Sequence, residues 1–358
     1  MLLSLRRACG AAREIIRSSA RFLRPCDNPL VETASTFDPH YADWHRIPLP
    51  ALNDEQLKAI IRRHGVAGEH VELIRSAGVI NSVYLIDGRY VLRVPRRIGE
   101  GIRATYTESV VLPIVNRIGI RCPGLVAFDD ALDIVDVPFT IQEFIDGAPL
   151  TESSQDARAR VFRQLGTELA LLHGHLDEIT APSCRPEFTS LFAREVPLFI
   201  RVGRGDRIRS GDASRLLRDL RDSGNITAQQ GSWFERTLSR LENLFEQATL
   251  YPSLLHRDIT SDNIIVKEQR LAALLDWGNA GRGDPVIDFR RIPPAFILDT
   301  VGGYREARAL DGEDNAAERI LWDRVTIAIF NLWESSPERA NHEIALLEEL
   351  ERVLDAIR

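Results

Sequence analysis

The segment 254–276 constrains the fold more than any other part of the sequence. Two short apolar runs, IIV and LAALL, flank a polar KEQR turn, and this arrangement predicts a β-hairpin. Polar side chains gather at the open end of that hairpin: His256, Asp258 and Asn263 precede its first strand, and Asp276 follows its second strand. We therefore expect Asn263 and Asp276, thirteen positions apart in the sequence, to lie close together at that end.

These residue types at this spacing suit phosphoryl transfer. The pattern HxD-x4-N, then a hairpin, then Asp is typical of a kinase catalytic loop and its metal-binding aspartate. Mg²⁺ neutralises phosphate charge and prefers hard oxygen ligands, which Asn263 and Asp276 offer. Asp258 is then placed to orient an acceptor hydroxyl or to take its proton. The competing interpretation is a chance His-Arg-Asp triplet in a loop between hydrophobic strands.

Composition excludes several other classes of protein. Hydrophobic residues make up 44% of the 358 residues and charged residues 27%, as in globular proteins, so extensive disorder is not expected. No apolar run is long enough for a transmembrane helix, and a net charge of −7 gives no reason to expect a nucleic acid; neither a membrane nor a nucleic acid is a predicted partner. The cysteines are too widely spaced for a zinc site or a disulfide framework, which favours a cytoplasmic location: Cys9, Cys26, Cys122 and Cys184.

Residues 1–50 are predicted to be an extension in front of the fold. Six arginines stand against the single acid Glu14 within residues 1–26, and five prolines follow between residues 24 and 50. The arginine-rich start has three interpretations that the sequence leaves open: a transit peptide, a mis-assigned start codon, or a surface helix added to the fold.

The next hundred residues are rich in strands. Residues 53–64 carry an Asn N-cap signal, acids in the first turn and one apolar face, which predicts a helix. Strand-like runs on either side of Gly88-Arg89 predict a hairpin. The remaining predicted elements are strands at 82–87, 90–94, 125–128 and 139–144, and a helix at 102–118 in which Pro113 predicts a kink or a break.

After residue 151 the pattern becomes helical, so the whole chain is predicted to be α+β. Apolar residues recur at helical spacing over 161–172 and 232–248, and helices are predicted to close the chain at Ala316–Trp333 and Pro337–Ile357. The Arg-, Gly-, Asp- and Ser-rich segment 203–231 is weakly periodic and is predicted to be an insertion or a mobile loop.

The hairpin segment resembles a known family. LLHRDITSDNIIV…LAALLDWGNAGRGDPVIDF is similar to the Brenner motif and the metal segment of the aminoglycoside phosphotransferase family, which includes macrolide kinases and is related to choline kinases. Further segments over about residues 70–290 resemble the family's landmarks in the same order: GVINSVY (78–84), YVLRVPR (90–96), Glu108, IQEFIDG (141–147) and ELALLH (168–173).

The resemblance implies a protein-kinase-like fold with two lobes. The smaller, β-rich N-lobe would span residues 51–145 and bind the nucleotide. The larger, mostly helical C-lobe would span residues 146–358 and carry catalysis and acceptor binding. ATP or GTP would lie between the lobes as the phosphoryl donor, with Mg²⁺ as cofactor.

The same resemblance implies nucleotide-binding roles in the N-lobe. The loop of Asn81 and Ser82 would lie over the phosphates, with backbone N–H groups and the Ser82 hydroxyl as candidate donors. Backbone groups of Glu143 and Ile145 would bind the base. Glu108 would pair with a basic residue on the preceding strand.

That basic residue is Arg93, where protein kinases have lysine. The chain has only two lysines, Lys58 in an earlier predicted helix and Lys267 in the hairpin turn, and neither is expected to substitute. Arginine supplies charge and a bidentate fork to phosphate or to Glu108, so a functional Arg93 is the leading interpretation. The alternatives are an inactivating change and a solvated arginine.

Other residues near the motif are assigned supporting roles. The resemblance implies that Asp288 supports the catalytic loop through hydrogen bonds and that His256 packs rather than carries protons. Asp284 before Pro285 suits a helix N-cap. Arg257 replaces a small residue common in the family and is compatible with an anion contact or a loop contact.

The function predicted from these observations is a small-molecule kinase acting on a hydroxyl. The acceptor would be an aminoglycoside, a macrolide or a metabolite, and the acidic C-terminal segment 334–358 would either contact a cationic acceptor or form a solvated helix face. A protein kinase lacks support because no APE-like end of an activation segment follows Asp276. A nucleotide-binding pseudokinase, favoured only by Arg93, is the remaining alternative. The sequence predicts no oligomeric state.

Overall fold

The computed structural model describes residues 47–74, 80–175, 201–202, 206–207, 210–241, 253–311, 315–332 and 337–356. The predictions for residues 1–46 lie outside these ranges. Among the described helices, none combines the length and the apolar character needed to cross a membrane.

One helix, five strands and a second helix form the first part of the fold. They are α1 Asp54–His64, β1 Val71–Leu73, β2 Asn81–Ile86, β3 Tyr90–Pro95, α2 Gly99–Arg117, β4 Leu125–Asp129 and β5 Phe139–Glu143. The five strands form one antiparallel sheet in the order β1-β2-β3-β5-β4. The predicted hairpin around Gly88-Arg89 and the two later strands are confirmed. Helix α2 continues through Pro113 as one helix.

Helix α1 begins and ends where its sequence signals predict. The Asn53 side chain accepts a hydrogen bond from the Gln56 N–H, and the Gln56 side chain accepts one from the Asn53 N–H, which is a capping box. Gly65 ends the helix at a φ of 61°, a conformation that favours glycine. Ile60 is fully buried against the sheet core that includes Leu92.

Helices dominate the second part of the fold. They are α3 Gln155–His173, α4 Ser210–Asp222, α5 Ala228–Leu241, α6 Ile297–Ala307, α7 Ala316–Asn331 and α8 Pro337–Leu354. Short strands lie among them: β6 Ala148–Pro149, β7 Arg201–Val202, β8 Asp206–Arg207, β9 Ser253–Leu255, β10 Ile264–Lys267, β11 Arg270–Leu274 and β12 Gly281–Gly283. Strands β10 and β11 form the predicted hairpin, and β6 pairs with β10.

The interpretation of 203–231 as an insertion or mobile loop is wrong for its described residues. Helix α4 and the start of α5 occupy most of this segment. Leu217 and Leu220 are fully buried, and Leu216 packs against the same core. Most residues of α4 are polar, so its short apolar stripe gives only a weak helical pattern in the sequence, and packing of that stripe stabilises the helix.

Two hydrophobic cores occupy the two parts of the fold. The smaller core joins α1 to the five-stranded sheet, and the larger one fills the helical part. Residues of α2, including Val111 and Val115, belong to the larger core, although in the sequence α2 comes between β3 and β4 of the sheet. We propose the lobe boundary at residues 145/146, because β6 immediately after it pairs with β10 of the helical part.

Candidate active site

The loop before β10 holds Asp258 and Asn263 against each other. The Asn263 side-chain Nδ2 donates to the Asp258 backbone oxygen at 2.9 Å and lies 3.3 Å from the Asp258 Oδ2. The Asn263 N–H donates to the Thr260 carbonyl at 3.1 Å, which closes the loop. With Nδ2 engaged by Asp258, the amide oxygen of Asn263 faces a different direction and is available as a ligand.

The base of this loop rests on a buried carboxylate. Asp288 accepts hydrogen bonds from the backbone N–H of His256 at 2.9 Å and of Arg257 at 2.6 Å. His173 of α3 contacts the same carboxylate at 3.1 Å. Burial alone would raise the pKa of Asp288, but these hydrogen bonds and the nearby histidines lower it below its ordinary value.

His256 is a packing residue in this arrangement. Its ring is fully buried, lies 4.5 Å from the Trp277 ring centroid, and uses Nε2 to contact the Leu275 carbonyl at 3.0 Å. Its Nδ1 accepts from the Asp258 N–H at 3.3 Å. Both ring nitrogens are therefore engaged in fixing the loop.

The β10–β11 hairpin brings Asn263 and Asp276 to the same end of the site. Its turn residues Glu268 and Gln269 both have positive φ, the geometry that matches the twist of a two-residue hairpin. At the other end the Leu275 N–H donates to the Asn263 carbonyl at 2.8 Å. Asp276 follows at a φ of 63°, and its side chain is 40% exposed. The amide and carboxylate oxygens are hard donors that suit Mg²⁺.

Arg93 joins the sheet to this hairpin. Its Nη2 lies 3.2 Å from the Glu108 carboxylate and 3.2 Å from the Asp276 carboxylate. Burial alone would lower the pKa of Arg93, but the two carboxylates raise it above its ordinary value. The Arg93 Nε–H is buried and has no acceptor within the described part of the chain.

Glu108 lies on α2 in an almost fully buried position. Gln142 of β5 donates to its Oε2 at 3.0 Å, and Arg93 contacts its Oε1. Burial raises the pKa of Glu108, and Arg93 acts against that rise. The charge on Glu108 therefore depends on Arg93 remaining beside it.

The nucleotide-loop residues lie at the start of β2. Asn81 pairs with Pro95 across the hairpin, and Ser82 is buried. The Ser82 hydroxyl donates to the Pro50 carbonyl at 2.5 Å, so in this structure it faces the lead-in segment. Its role as a phosphate donor stays a prediction, and Gly78 lies outside the described residues.

The predicted hinge follows β5. The Glu143 N–H donates to the Gly124 carbonyl at 2.8 Å, which ties the start of the hinge to the sheet. Ile145 is half-buried. Gly147 has a φ of 153°, and a Cβ on it would lie 2.7 Å from the Val266 carbonyl oxygen of β10. The predicted hinge therefore passes directly against the β10–β11 hairpin.

Neither lysine of the chain approaches the Arg93 cluster through its described contacts. Lys58 lies on α1, and Lys267 pairs with Asp146 at 2.9 Å on the surface. Asp284 caps the following 3₁₀ turn by accepting from the Val286 N–H at 3.0 Å, as its position before Pro285 predicts.

Two residues of the site were not predicted from the sequence. Arg291 places its Nε 3.5 Å from the Asp258 Oδ1 and is half exposed. The second is Gln142, which donates a hydrogen bond to Glu108. Both contacts join distant parts of the chain, so no local motif signals them.

Comparison with known proteins identifies the family. A family model described as a phosphotransferase enzyme family matches residues 71–326. The chain belongs to this family. Its family is accordingly one of phosphotransferases, as the sequence resemblance predicts. No curated protein matches the sequence significantly.

Solved structures confirm the protein-kinase-like α+β fold. The ADP-bound aminoglycoside phosphotransferase APH(2'')-Ib matches at 17% identity and a TM-score of 0.52, over 85% of this chain and 99% of that chain. A GDP complex of aminoglycoside 2'-phosphotransferase-IIIa matches at 17% identity and 0.55, over 84% and 99%. Macrolide 2'-phosphotransferase MphH from Brachybacterium faecium matches at 17% identity and 0.52, over 85% and 97%.

Proposed function

We propose that this protein transfers the γ-phosphoryl group of ATP or GTP to a hydroxyl of a small-molecule acceptor. The observation that carries the proposal is the meeting of Asp258, Asn263 and Asp276 at one end of a hairpin, with Asp276 joined to Arg93. Phosphoryl transfer depends mainly on positioning and charge, and this arrangement provides both.

Each residue has a proposed role. Asp258 orients the acceptor hydroxyl and accepts its proton, while the acceptor oxygen bonds to the γ-phosphorus. The bond from that phosphorus to the β,γ-bridging oxygen breaks, and the nucleoside diphosphate leaves. When bound at Asn263 and Asp276, Mg²⁺ would neutralise charge on the phosphates. His256 and Asp288 act as supporting residues that hold the loop.

The donor side is proposed to lie along the N-lobe. Arg93, held by Glu108, directs its unpartnered Nε–H toward the phosphates, and backbone groups at Asn81 and Ser82 lie over them. Backbone groups of Glu143 and Ile145 bind the base. Related structures contain ATP with streptomycin, or GDP with kanamycin, which supports a nucleotide donor without choosing between ATP and GTP.

The proposal leaves the acceptor open between an antibiotic and a metabolite. It includes a cytoplasmic location, which the widely spaced cysteines favour. A pseudokinase is favoured only by arginine at position 93. The ion pairs that Arg93 makes with Glu108 and Asp276 support a working position rather than an inactivated one.

Replacing Asp258 tests the proposed catalytic role. We expect Asp258→Asn to lower Mg²⁺-dependent, acceptor-stimulated turnover by about 10²- to 10⁴-fold, because an amide cannot take the hydroxyl proton. Product ADP or GDP is measured against a panel of aminoglycosides, macrolides, amino alcohols, sugars and sugar acids. Asp262→Asn, an exposed carboxylate in the same loop, is the matched control.

The outcomes separate the candidates. Turnover that Asp258→Asn abolishes and Asp262→Asn retains supports the kinase. Wild-type turnover in Asp258→Asn would contradict it. Nucleotide binding without any turnover in the unmutated protein would favour the pseudokinase.

A further inference from the structure

The two oxygens of the Asp258 carboxylate face different partners. Oδ2 lies 3.3 Å from the Asn263 amide nitrogen, and Oδ1 lies 3.5 Å from the Arg291 Nε. Because Asn263 belongs to the proposed metal site, Oδ2 marks the nucleotide side of the carboxylate. Oδ1 and Arg291 then mark the opposite side, where an acceptor hydroxyl would have to approach.

Asp258 is only a weak ion-pair partner for the Arg291 guanidinium. Its side chain is 52% exposed, and within the described part of the chain Asp258 is its only carboxylate neighbour within salt-bridge distance. A single 3.5 Å contact at an exposed position is a weak ion pair. The guanidinium keeps further N–H donors for another partner.

Two neighbouring arginines, Arg290 and Arg324, form contacts that fix the segment around Arg291. Arg290 makes a bidentate pair with the buried Asp323, with both N···O distances at 2.9 Å. Arg324 donates to the carbonyl of Arg290 and to that of Ile292 at 3.2 Å. These contacts hold the backbone on both sides of Arg291, so its guanidinium projects from a fixed base.

Arg291 lies close to other arginines. Arg290 and Arg324 are its neighbours, Asp323 pairs with Arg290, and Glu343 lies near Arg324. Burial lowers the pKa of Arg324 and Arg291 lowers it further, while Asp323 opposes that change, which is the effect of crowded positive charges. A cationic acceptor would meet the exposed Arg291 guanidinium beside the catalytic carboxylate.

Two carboxylates of the acidic C-terminal helix are engaged within the fold. Glu348 of α8 accepts a hydrogen bond from the Trp233 indole at 3.1 Å, and Glu351 pairs with Arg240 at 2.5 Å. These acids join α8 to α5. Their engagement weakens the argument for a cationic acceptor.

We infer that the acceptor carries an acid group, a carboxylate or a phosphate ester, near the hydroxyl that is phosphorylated, and that Arg291 binds it. This inference rests on the proposed function. When Asp258 turns Oδ1 to the hydroxyl, Arg291 exchanges its weak contact for the acid group of the acceptor. A planar guanidinium pairs with both classes of anion through two parallel N–H···O bonds.

The test compares acid acceptors with neutral and cationic ones of matched size. Gluconate and glycerate form the carboxylate arm, and glucose 6-phosphate and glycerol 3-phosphate form the phosphate arm. Glucose and glycerol are the neutral counterparts, and kanamycin is the cationic probe. We expect kcat/KM for at least one acid arm to exceed that of its neutral counterpart and of kanamycin by about tenfold or more.

Variants at Arg291 then test the residue itself. We expect Arg291→Gln to lower kcat/KM for the preferred acid probe about tenfold or more, mainly through KM, and to change the neutral counterpart far less. Arg291→Lys should retain part of the preference, and Arg291→Glu should shift it toward kanamycin. Arg270→Gln, an exposed arginine near the far turn of the same hairpin, is the matched control.

The outcomes distinguish this inference from the proposed function. Transfer to neutral probes or kanamycin in preference to both acid arms overturns the inference and leaves the kinase standing. An equal loss of kcat for every probe in Arg291→Gln also overturns it, because Arg291 would then only position Asp258. Transfer to none of these probes overturns it as well, and the Asp258→Asn comparison on the wider panel decides separately whether the protein is a kinase.

Discussion

Asp288 shows how much of the site depends on one buried side chain. Its two oxygens accept from the backbone of His256 and Arg257, and His173 adds a third contact. Arg257 has a positive φ of 69°, a conformation that costs free energy in a residue other than glycine. The carboxylate therefore stabilises a loop that would otherwise relax, and with it the position of Asp258.

Replacing Asp288 with asparagine should destabilise both the loop and the fold. An amide provides one acceptor where the carboxylate provides two, and its NH₂ group would face a backbone N–H. We expect Asp288→Asn to lower the free energy of unfolding by about 2–3 kcal/mol, the usual effect of leaving a buried polar group unsatisfied. Urea unfolding measures this loss, and a lower kcat at unchanged nucleotide affinity would accompany it.

The same variant should change the response to acid. The pKa of Asp288 lies below its ordinary value in the folded state, so between the two pKa values the unfolded chain binds more protons. The stability from Asp288 is present above about pH 4 and is lost as the pH falls through its folded pKa. Asp288→Asn should therefore lose less stability than the wild type over that interval.

The surface residue Asp146 provides the control for both measurements. It pairs with Lys267 at an exposed position, so Asp146→Asn should leave unfolding unchanged within experimental error. If Asp288→Asn unfolded like the wild type at neutral pH, the carboxylate could not be what holds the loop.

At the scale of elements, local signals predicted some of the fold and packing decided the rest. The hairpin β10–β11 was predictable because its strands are adjacent in the sequence and its polar turn is short. The expected proximity of Asn263 and Asp276 in space followed from that hairpin. Helices α4 and α6 were not predicted. Helix α6 contains Gly302 and Gly303, which lower its helix propensity, so the local sequence does not predict a helix there.

Those glycines have a packing reason that only the structure shows. Helices α3 and α6 approach so closely that a Cβ on Gly303 would lie 1.9 Å from the Arg163 carbonyl oxygen. A Cβ on Gly166 of α3 would lie 1.9 Å from the Thr300 carbonyl oxygen. At Gly302 the nearest atom is the end of the flexible Arg163 side chain at 3.1 Å.

Alanine substitutions should separate these positions. We expect Gly166→Ala to lower the free energy of unfolding by about 1–3 kcal/mol or more, because backbone atoms cannot move aside as a side chain can. Gly302→Ala should instead be neutral or stabilise by up to about 1 kcal/mol, the propensity gain of alanine in a helix. Thermal and urea unfolding measure both.

Gly302→Ala is the matched control because the same change is made in the same helix pair. Equal destabilisation by the two variants would show that helix propensity and close approach are not the factors that distinguish them.

At the scale of the whole molecule, one ion-pair cluster joins the sheet to the β10–β11 hairpin. The Arg93 Nη2 of β3 reaches Asp276, 183 positions later in the chain, while Glu108 holds Arg93 from α2. Helix α2 itself packs into the larger core. The sequence motifs drew attention to each of these three residues. The distance of 3.2 Å from Arg93 to each carboxylate depends on the tertiary structure and could not be predicted from the motifs.

This connection predicts how nucleotide and metal should affect stability. A ligand at a hundred times its Kd stabilises the folded state by about 2.7 kcal/mol, so ATP should raise the unfolding temperature, and Mg²⁺ should add to that rise. Asp276→Asn should abolish the Mg²⁺-dependent part, because a carboxylate ligand is lost, and keep much of the rise with ATP in EDTA. Thermal unfolding with ATP, with and without Mg²⁺, measures the shift in unfolding temperature for the wild type and for Asp276→Asn.

Asp262→Asn is the control, because its carboxylate is exposed in the same loop and is not a proposed metal ligand. An undiminished Mg²⁺ effect in Asp276→Asn would contradict the proposed metal site, because the hairpin brings Asn263 and Asp276 together as its protein ligands.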